Sequence, residues 1–427
     1  MTAPAVRRVA VTGLGVLAPG GTGRKNFWQL LTEGRTATRA LTLTRSGPEH
    51  GRVAAEIDFD AAEHGLAPAE ARRMDRAAQF AVVAAREAAE DSGLDFAGLD
   101  PARTGVAVGS AAGPVTSLDT ALHRVTGHGR SEVAETLLSS ADAADRLVPG
   151  NLVRDVAWAV GAEGPVTVLS TGCAAGLDAI GHAARCVREG VADVMVAGAT
   201  EAPITGGVLR DLDAVGVTTR GDGDPAGAAR PFALGRDGSV LGEGAAFLVL
   251  EELDSARARG AHVYAEIGGQ ATRHTAGQVT GVPERGDELA DAVTHALRES
   301  GLTAGDVDYV GGAGTGHPRR DLHDAAALRT ALGGHAGRIP VSSVSSMIGD
   351  ALGAAGALAL AASVLAIEHG TVPPTANLHE ADPACGLDHV PLTARAHDVG
   401  VALTVSGGVG GFLSAMVLTA PGRSEAR

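Results

Sequence analysis

Aromatic rings are scarce in this chain, making up 3% of its 427 residues. Binding single-stranded nucleic acid relies on stacking bases against such rings, so this composition argues against that partner. Positive charge is also in deficit, with 35 Lys and Arg against 50 Asp and Glu and a formal net charge of −15. A polyanion partner calls for a basic stripe, and none is expected here. Cysteine is rare: Cys173, Cys186 and Cys385 show no CxxC or paired spacing. That excludes a disulfide framework and a cysteine zinc site, and suits a reducing cytoplasm. The opening MTAPAVRRVAVTG has no apolar segment behind a basic start, so no secretion signal is expected. One charge-free stretch, Ala351 to Ile367, falls short of the ~20 residues a membrane span needs and reads as a helix packed in a protein core. No membrane partner is expected.

What is present is small and apolar. Hydrophobic residues make up 45% and glycine 60 positions, so the interior must be built from closely approaching Ala, Val, Leu and Gly backbones. β-Branched runs predict strands at Arg7–Val16, Thr104–Val108, Pro165–Ser170, Val194–Ala197, Ala246–Leu250, Val263–Ile267 and Val307–Val310. The stripe Met74, Ala78, Val82, Ala85, Ala89 predicts one helix over Pro68–Ser92, and a second helix is expected over Asp287–Ser300. An internal repeat accompanies this alternation. PVTVLSTGCAAGLDAIGHA, from Pro165, and PVSSVSSMIGDALGAAGALALA, from Pro340, are both strand, Gly-containing turn and long small-residue helix. GEGAAFLVL and GVGGFLSAMVL are both Gly-rich turns entering a strand. The duplication predicts two α/β halves, 1–253 and 254–427, with mixed, mostly parallel sheets packed around a shared helical layer.

Cys173 falls where a strand ends and a helix begins. A thiol there meets the positive end of the helix dipole, which favours thiolate, and Gly172 and Gly176 leave room for a substrate. Position alone leaves two roles open, a nucleophile or a buried core cysteine.

The segment TGCAAGLDAIGHA resembles the active-site segment of β-ketoacyl synthases, in the thiolase superfamily. The likeness is closest to the ketosynthase and chain-length-factor subunits of bacterial type II polyketide synthases. RRVAVTGLGVLAPGG, RRMDRAAQFAVVAAREAAEDSGL, VAGATEAPIT, ARPFALGRDGSVLGEGAAFLVLEELDSARARGAHVYAEI and TVPPTANL follow the same pattern in order. The resemblance implies a thiolase-like fold and Cys173 as the acyl-accepting nucleophile. It implies an oxyanion hole from the backbone N–H groups of Cys173 and Val409. It further implies no bound cofactor, acyl groups arriving on the phosphopantetheine of an acyl carrier protein. Assembly is expected as a homodimer, or a heterodimer with a ketosynthase-family subunit, through a sheet edge near Ala192–Ala199. Arg72, Arg73 and Arg76, or Arg319 and Arg320, are candidates for docking an acidic carrier.

The chain departs from that family at its reaction centre. The family's first histidine belongs to an Ala-His-Gly-Thr loop, and here Ala313 stands in its place. A Lys-Ser-Met-x-Gly-His turn supplies the second histidine and a lysine, and here Asp350 and Ser345 replace them. Losing one preorganised donor to a developing oxyanion costs about 2.7–4 kcal/mol, so condensation with decarboxylation should be badly impaired. His317, four residues after Ala313, is a possible substitute or a loop histidine facing a backbone carbonyl. His323 reads as structural, and His182 lies over two helical turns from Cys173. Glu243 is either catalytic or structurally paired. Three functions follow: an acyltransferase of ketosynthase type using Cys173, a non-catalytic partner resembling a chain-length factor, or a condensing enzyme with an altered donor.

Overall fold

The computed structural model describes residues 7–42, 52–126, 145–221, 223–277, 281–282, 285–408 and 410–423. The apolar runs form a twelve-stranded sheet, of which eleven strands lie on one path and the two-residue strand Gly21–Thr22 pairs beside it with the first. From the first half of the chain come β1 (Val9–Ala18), β2 (Thr104–Gly109), β3 (Val166–Leu169), β4 (Val194–Glu201) and β5 (Gly244–Glu252). The second half supplies β6 (Ala265–His274), β7 (Tyr309–Gly311), β8 (Pro340–Ser342), β9 (Asp388–His389), β10 (Val401–Gly407) and β11 (Phe412–Thr419). Across the sheet the order is β9-β8-β7-β10-β11-β6-β1-β5-β4-β2-β3. Apart from the short β9, each half runs outward as its first, fifth, fourth, second and third strand. The repeat in sequence is therefore a repeat of topology. The halves join where β1 pairs antiparallel with β6, Val9 opposite Ile267 and Val11 opposite Ala265. Pairings from β4 through the middle to β10 are antiparallel, and the parallel pairs lie on the two flanks, so the sheet is mixed.

Six helices matter for the site: α1 (Arg76–Asp91), α2 (Gly150–Val160), α3 (Ala175–Arg188), α4 (Asp287–Glu299), α5 (Pro318–Leu332) and α6 (Ala355–His369). α3 and α6 share a layer and pack on each other at backbone distance. A Cβ on Gly176 would lie 2.9 Å from both the Ala357 nitrogen and the Gly353 oxygen. Gly176, expected to leave room for substrate, is instead filled by α6. Residues from Gly356 to Ala366 are buried on every face, as an apolar helix inside a core must be. The 18-residue apolar stretch Leu352–His369 is 72% buried, so its composition is that of a core helix.

Two expectations change. The helix over Pro68–Ser92 breaks at Met74, whose backbone is extended; a short helix ends at Arg73 and α1 begins at Arg76. Asp75 explains the break, because its carboxylate accepts the Ala77 N–H and caps α1. The apolar stripe continued across the break because Met74 still enters the core.

The second change concerns the exposed sheet edge. β4 is wholly buried between β2 and β5, so residues 192–199 offer no unpaired edge. Among the described strands β3 is the edge on that side, paired only with β2, with Val166 42% exposed and Trp158 of α2 70% exposed. An unpaired strand beside exposed apolar side chains is a template for another chain. Val166→Glu should convert a dimer to a monomer in light scattering at micromolar concentration while leaving the far-ultraviolet circular dichroism unchanged. A variant that stays dimeric would place the interface elsewhere.

Candidate active site

The repeated strand–turn–helix units carry one reactive side chain each into a shared cavity of about 180 Å³. After β3 a tight turn over Gly172–Ala174, with Gly172 at φ 54°, leads into α3 and sets Cys173 on the cavity wall. After β8 the short helix Ser345–Ile348 and Gly349 lead to Asp350, which also lines the cavity, just before α6. Ser406 at the end of β10 donates to the Cys173 carbonyl at 2.8 Å. Thr171 donates to Asp178 at 2.6 Å, tying the turn to the first turn of α3. Gly408 closes the wall, and only glycine fits there, because a Cβ would overlap Cys173 Sγ.

Burial decides the state of the thiol. Enclosure of the sulfur pushes its pKa up, the Asp350 carboxylate adds to this, and Glu201 adds further against Arg320 and the residue's own amide. The helix-terminus expectation of a readily formed thiolate is thus opposed by burial and by Asp350. A helix dipole contributes about 0.3–1 kcal/mol, up to ~2 in favourable geometry, and acts here on a side chain that is half-buried. Asp350 is also raised by burial, opposed by the Leu352 N–H and by Arg320. Glu201, fully buried at the end of β4, is pushed up to about 7 by burial. Its oxygens accept the Ala111, Ala112 and Gly353 N–H groups and the Ser110 hydroxyl, at 2.7, 3.2, 3.1 and 2.9 Å.

The remaining candidates divide by what they touch. His317 lines the cavity, but its Nδ1 accepts the Arg320 N–H at 3.2 Å as the N-cap of α5, and its ring also bonds the Gly216 backbone. Burial lowers its pKa, which leaves a neutral imidazole with both nitrogens engaged. Ala313 is fully buried in the core of the second half, and Ser345 is half-buried; neither lines the cavity. His323 is fully buried with Nδ1 3.1 Å from Asp324, and His182 sits 3.7 Å from Cys186 Sγ. Val409 lies outside the described residues; its neighbours Gly407 and Gly408 line the cavity.

Two docking candidates turn inward. Arg320 is 5% exposed, lines the cavity and pairs with Asp324 at 2.7 Å. Arg76 grips Glu243 at 2.7 and 3.0 Å, and Glu243 also accepts the Ile57 N–H, so this carboxylate is structurally paired. Arg73 lies over the Trp158 ring at 5.4 Å, leaving Arg72 and Arg319 as the exposed members of the two clusters. Arg320, Glu201 and Leu352 are the site residues that sequence reasoning missed. The signals were a carboxylate ending a buried strand and an Arg–Asp pair at i,i+4 on α5. Among the described residues no group of three His, Cys, Asp or Glu could hold a metal ion.

Overpacking a filled site costs about 1–3 kcal/mol. Gly408→Ala should lower stability by that amount in urea unfolding, and adding Cys173→Ala should recover part of it. Equal losses with and without the sulfur would refute the contact.

Comparison with known proteins agrees with this architecture. Residues 6–256 match the model for the N-terminal domain of β-ketoacyl synthases, and residues 264–379 match that for the C-terminal domain. The chain is 51% identical over 421 residues, 99% of each chain, to the tetracenomycin polyketide synthase ketoacyl synthase alpha subunit of Streptomyces glaucescens. A solved type II polyketide synthase acyl-carrier protein in complex with its ketosynthase bound to the hexaketide superposes with a TM-score of 0.90 at 34% identity, covering 97% of this chain and 100% of that one. The ishigamide ketosynthase/chain length factor superposes with a TM-score of 0.89 at 32% identity, covering 97% and 100%. With thiolase-like halves, a cysteine at the turn after β3 and both family domains matched, the chain belongs to the β-ketoacyl synthase family.

Proposed function

We propose that the protein serves polyketide biosynthesis as an acyltransferase of ketosynthase type. Cys173 takes an acyl group from the phosphopantetheine thiol of an acyl carrier protein and passes it on, with little or no decarboxylative elongation. The reading rests on one observation above all: the cavity retains the thiol but is lined by a carboxylate, Asp350, as well. Thioester exchange needs a sulfur nucleophile and backbone donors to the oxyanion, roles assigned to Cys173 and the N–H groups of Cys173 and Val409. Decarboxylation of a malonyl group additionally needs donors to an enolate. His317 has both nitrogens engaged, and Asp350 repels the malonyl carboxylate and the enolate alike. No bound cofactor is required, since the carrier brings the acyl group.

Relatives named as a carrier–ketosynthase complex and as a ketosynthase/chain length factor support two partners, an acyl carrier protein and a second ketosynthase-family subunit. A non-catalytic role beside such a subunit is the second reading, favoured by the enclosure and the Asp350 carboxylate that together raise the Cys173 thiol.

Incubation with acyl carrier protein loaded with an acyl group should add the acyl mass to Cys173, and Cys173→Ala should abolish the gain. Carbon dioxide release from the malonyl carrier should be ~10²–10³ slower than for a ketosynthase with an intact Cys-His-His set. Rapid release would overturn the reading in favour of condensation. No acylation from any carrier would leave the non-catalytic role.

A further inference from the structure

A thiol that keeps its proton can attack a thioester only if that proton has an acceptor, directly or through one water. The charged and titratable groups that line the cavity or act on Cys173 come from three elements: Glu201 from β4, Arg320 from α5 with His317 at its cap, and Asp350 from the turn before α6, while Asp321 and Asp324 stand behind them on α5. Most of them are committed elsewhere. Glu201 accepts four donors. Asp321 accepts the N–H groups of Phe232, Thr315 and Gly316 at 2.7, 2.8 and 3.2 Å. Asp324 holds Arg320, His323 and the Gly314 N–H, and both His317 nitrogens are engaged.

Asp350 differs. Its Oδ1 accepts the Leu352 N–H at 3.0 Å, and its Oδ2 accepts no hydrogen bond among the described residues. The residue keeps 8% exposure and lines the cavity with Cys173; among the described residues no direct hydrogen bond joins the two side chains, so a proton passing between them crosses the cavity through a solvent molecule. Its backbone is clamped on both sides, the N–H donating to Val240 at 2.8 Å and the carbonyl accepting from Gly242 at 2.9 Å. Leu352 adopts φ 46°, a left-handed conformation rare outside glycine, and its amide is the one that meets the carboxylate. Strained backbone of this kind clusters at functional sites.

Resting on the acyl-transfer reading, we propose that Asp350 is the general base of the transfer. As Cys173 Sγ adds to the thioester carbonyl carbon, the S–H bond breaks, Oδ2 takes the proton and the carbonyl electron pair moves to its oxygen. When the intermediate collapses, the bond to the pantetheine sulfur breaks and the protonated Asp350 gives that proton to the departing sulfur. The carboxylate that resists a free thiolate is thereby the group that receives its proton. Burial raises the Asp350 pKa, which brings a carboxylate closer to the neutral range where a base works best. The rate should fall as pH drops through that raised value, because protonated Asp350 accepts nothing.

The test uses the full chain and Asp350→Asn, which keeps the acceptor for Leu352 and the side-chain volume. Two rates at Cys173 are read by intact mass across pH: alkylation by iodoacetamide, and acylation from an acyl N-acetylcysteamine thioester. At about pH 7 the variant should be slower in both by ~10²-fold and should lose the acid limb. At about pH 10 its alkylation should match or exceed that of the unaltered chain, because the thiolate forms without help and the repelling charge is gone. Equal or faster reaction near neutrality would make Asp350 a repelling charge only and overturn the assignment. Asp350-dependent alkylation without any acylation would sink the transfer reading and keep the base. Acylation indifferent to Asp350→Asn would do the reverse. If Asp350→Asn is unreactive even in alkali, Asp350→Glu decides: an acid limb that moves with the new carboxyl supports the base, and one that stays put refutes it.

Discussion

The contact on which the site depends is the approach of α3 to α6 through glycine. Gly176 admits the Ala357 nitrogen and the Gly353 oxygen, and Gly356 admits Leu177 and Ser406, with built Cβ distances of 2.9–3.0 Å. Any side chain at Gly176 would separate the helices, and the turns leading into them would separate too. Those turns carry Cys173 and Asp350. The two repeated units thus meet at one cavity, Cys173 coming from the turn before α3 and Asp350 from just ahead of the matching turn, Leu352–Ala354, before α6. The same contact explains the charge-free run of α6, which is enclosed by α3 and by strands of both halves.

Inside this cavity the balance of charge is unusual for acyl transfer. Three acidic groups, Cys173, Asp350 and Glu201, stand near one guanidinium, Arg320, which is itself bound to Asp324 at 2.7 Å. Uncompensated burial of several negative charges costs more than one shared cation returns, so the acids hold protons more tightly instead. Glu201 at about 7 and the upward shifts of Asp350 and Cys173 are one consequence of that shortage.

Much of this was legible in sequence. The strand–turn–helix repeat showed because alternation and glycine spacing are local properties. The absence of both imidazoles showed because the two loops keep their glycines around Ala313 and Asp350. Other features are set by distant partners. Whether β3 or β4 is the edge depends on where β2 and β5 pair, which no run of valines reveals. Arg319 and Arg320 read as a docking pair because an acidic carrier needs positive charge near the pocket, yet one step along α5 turns the Arg320 side chain about 100° from exposed Arg319 into the cavity. The surroundings of the thiol are a different matter. A helix terminus is visible in sequence, whereas the burial and the carboxylate that oppose it come from the assembled halves.

The edge strand and the nucleophile are also one mechanical unit. β3 ends at Leu169, and Cys173 follows within a turn held on its inner side by the Thr171–Asp178 and Ser406–Cys173 hydrogen bonds. Its outer side has only the strand itself, whose residues are half-exposed where β4 is wholly buried. A partner strand added along β3 would fill the unpaired row of backbone groups and fix Val166–Leu169 in register. The turn that hangs from that strand would be fixed with it. A strand added at this edge would thus hold the base of the turn that carries the sulfur, on the side where the described residues leave it unpaired.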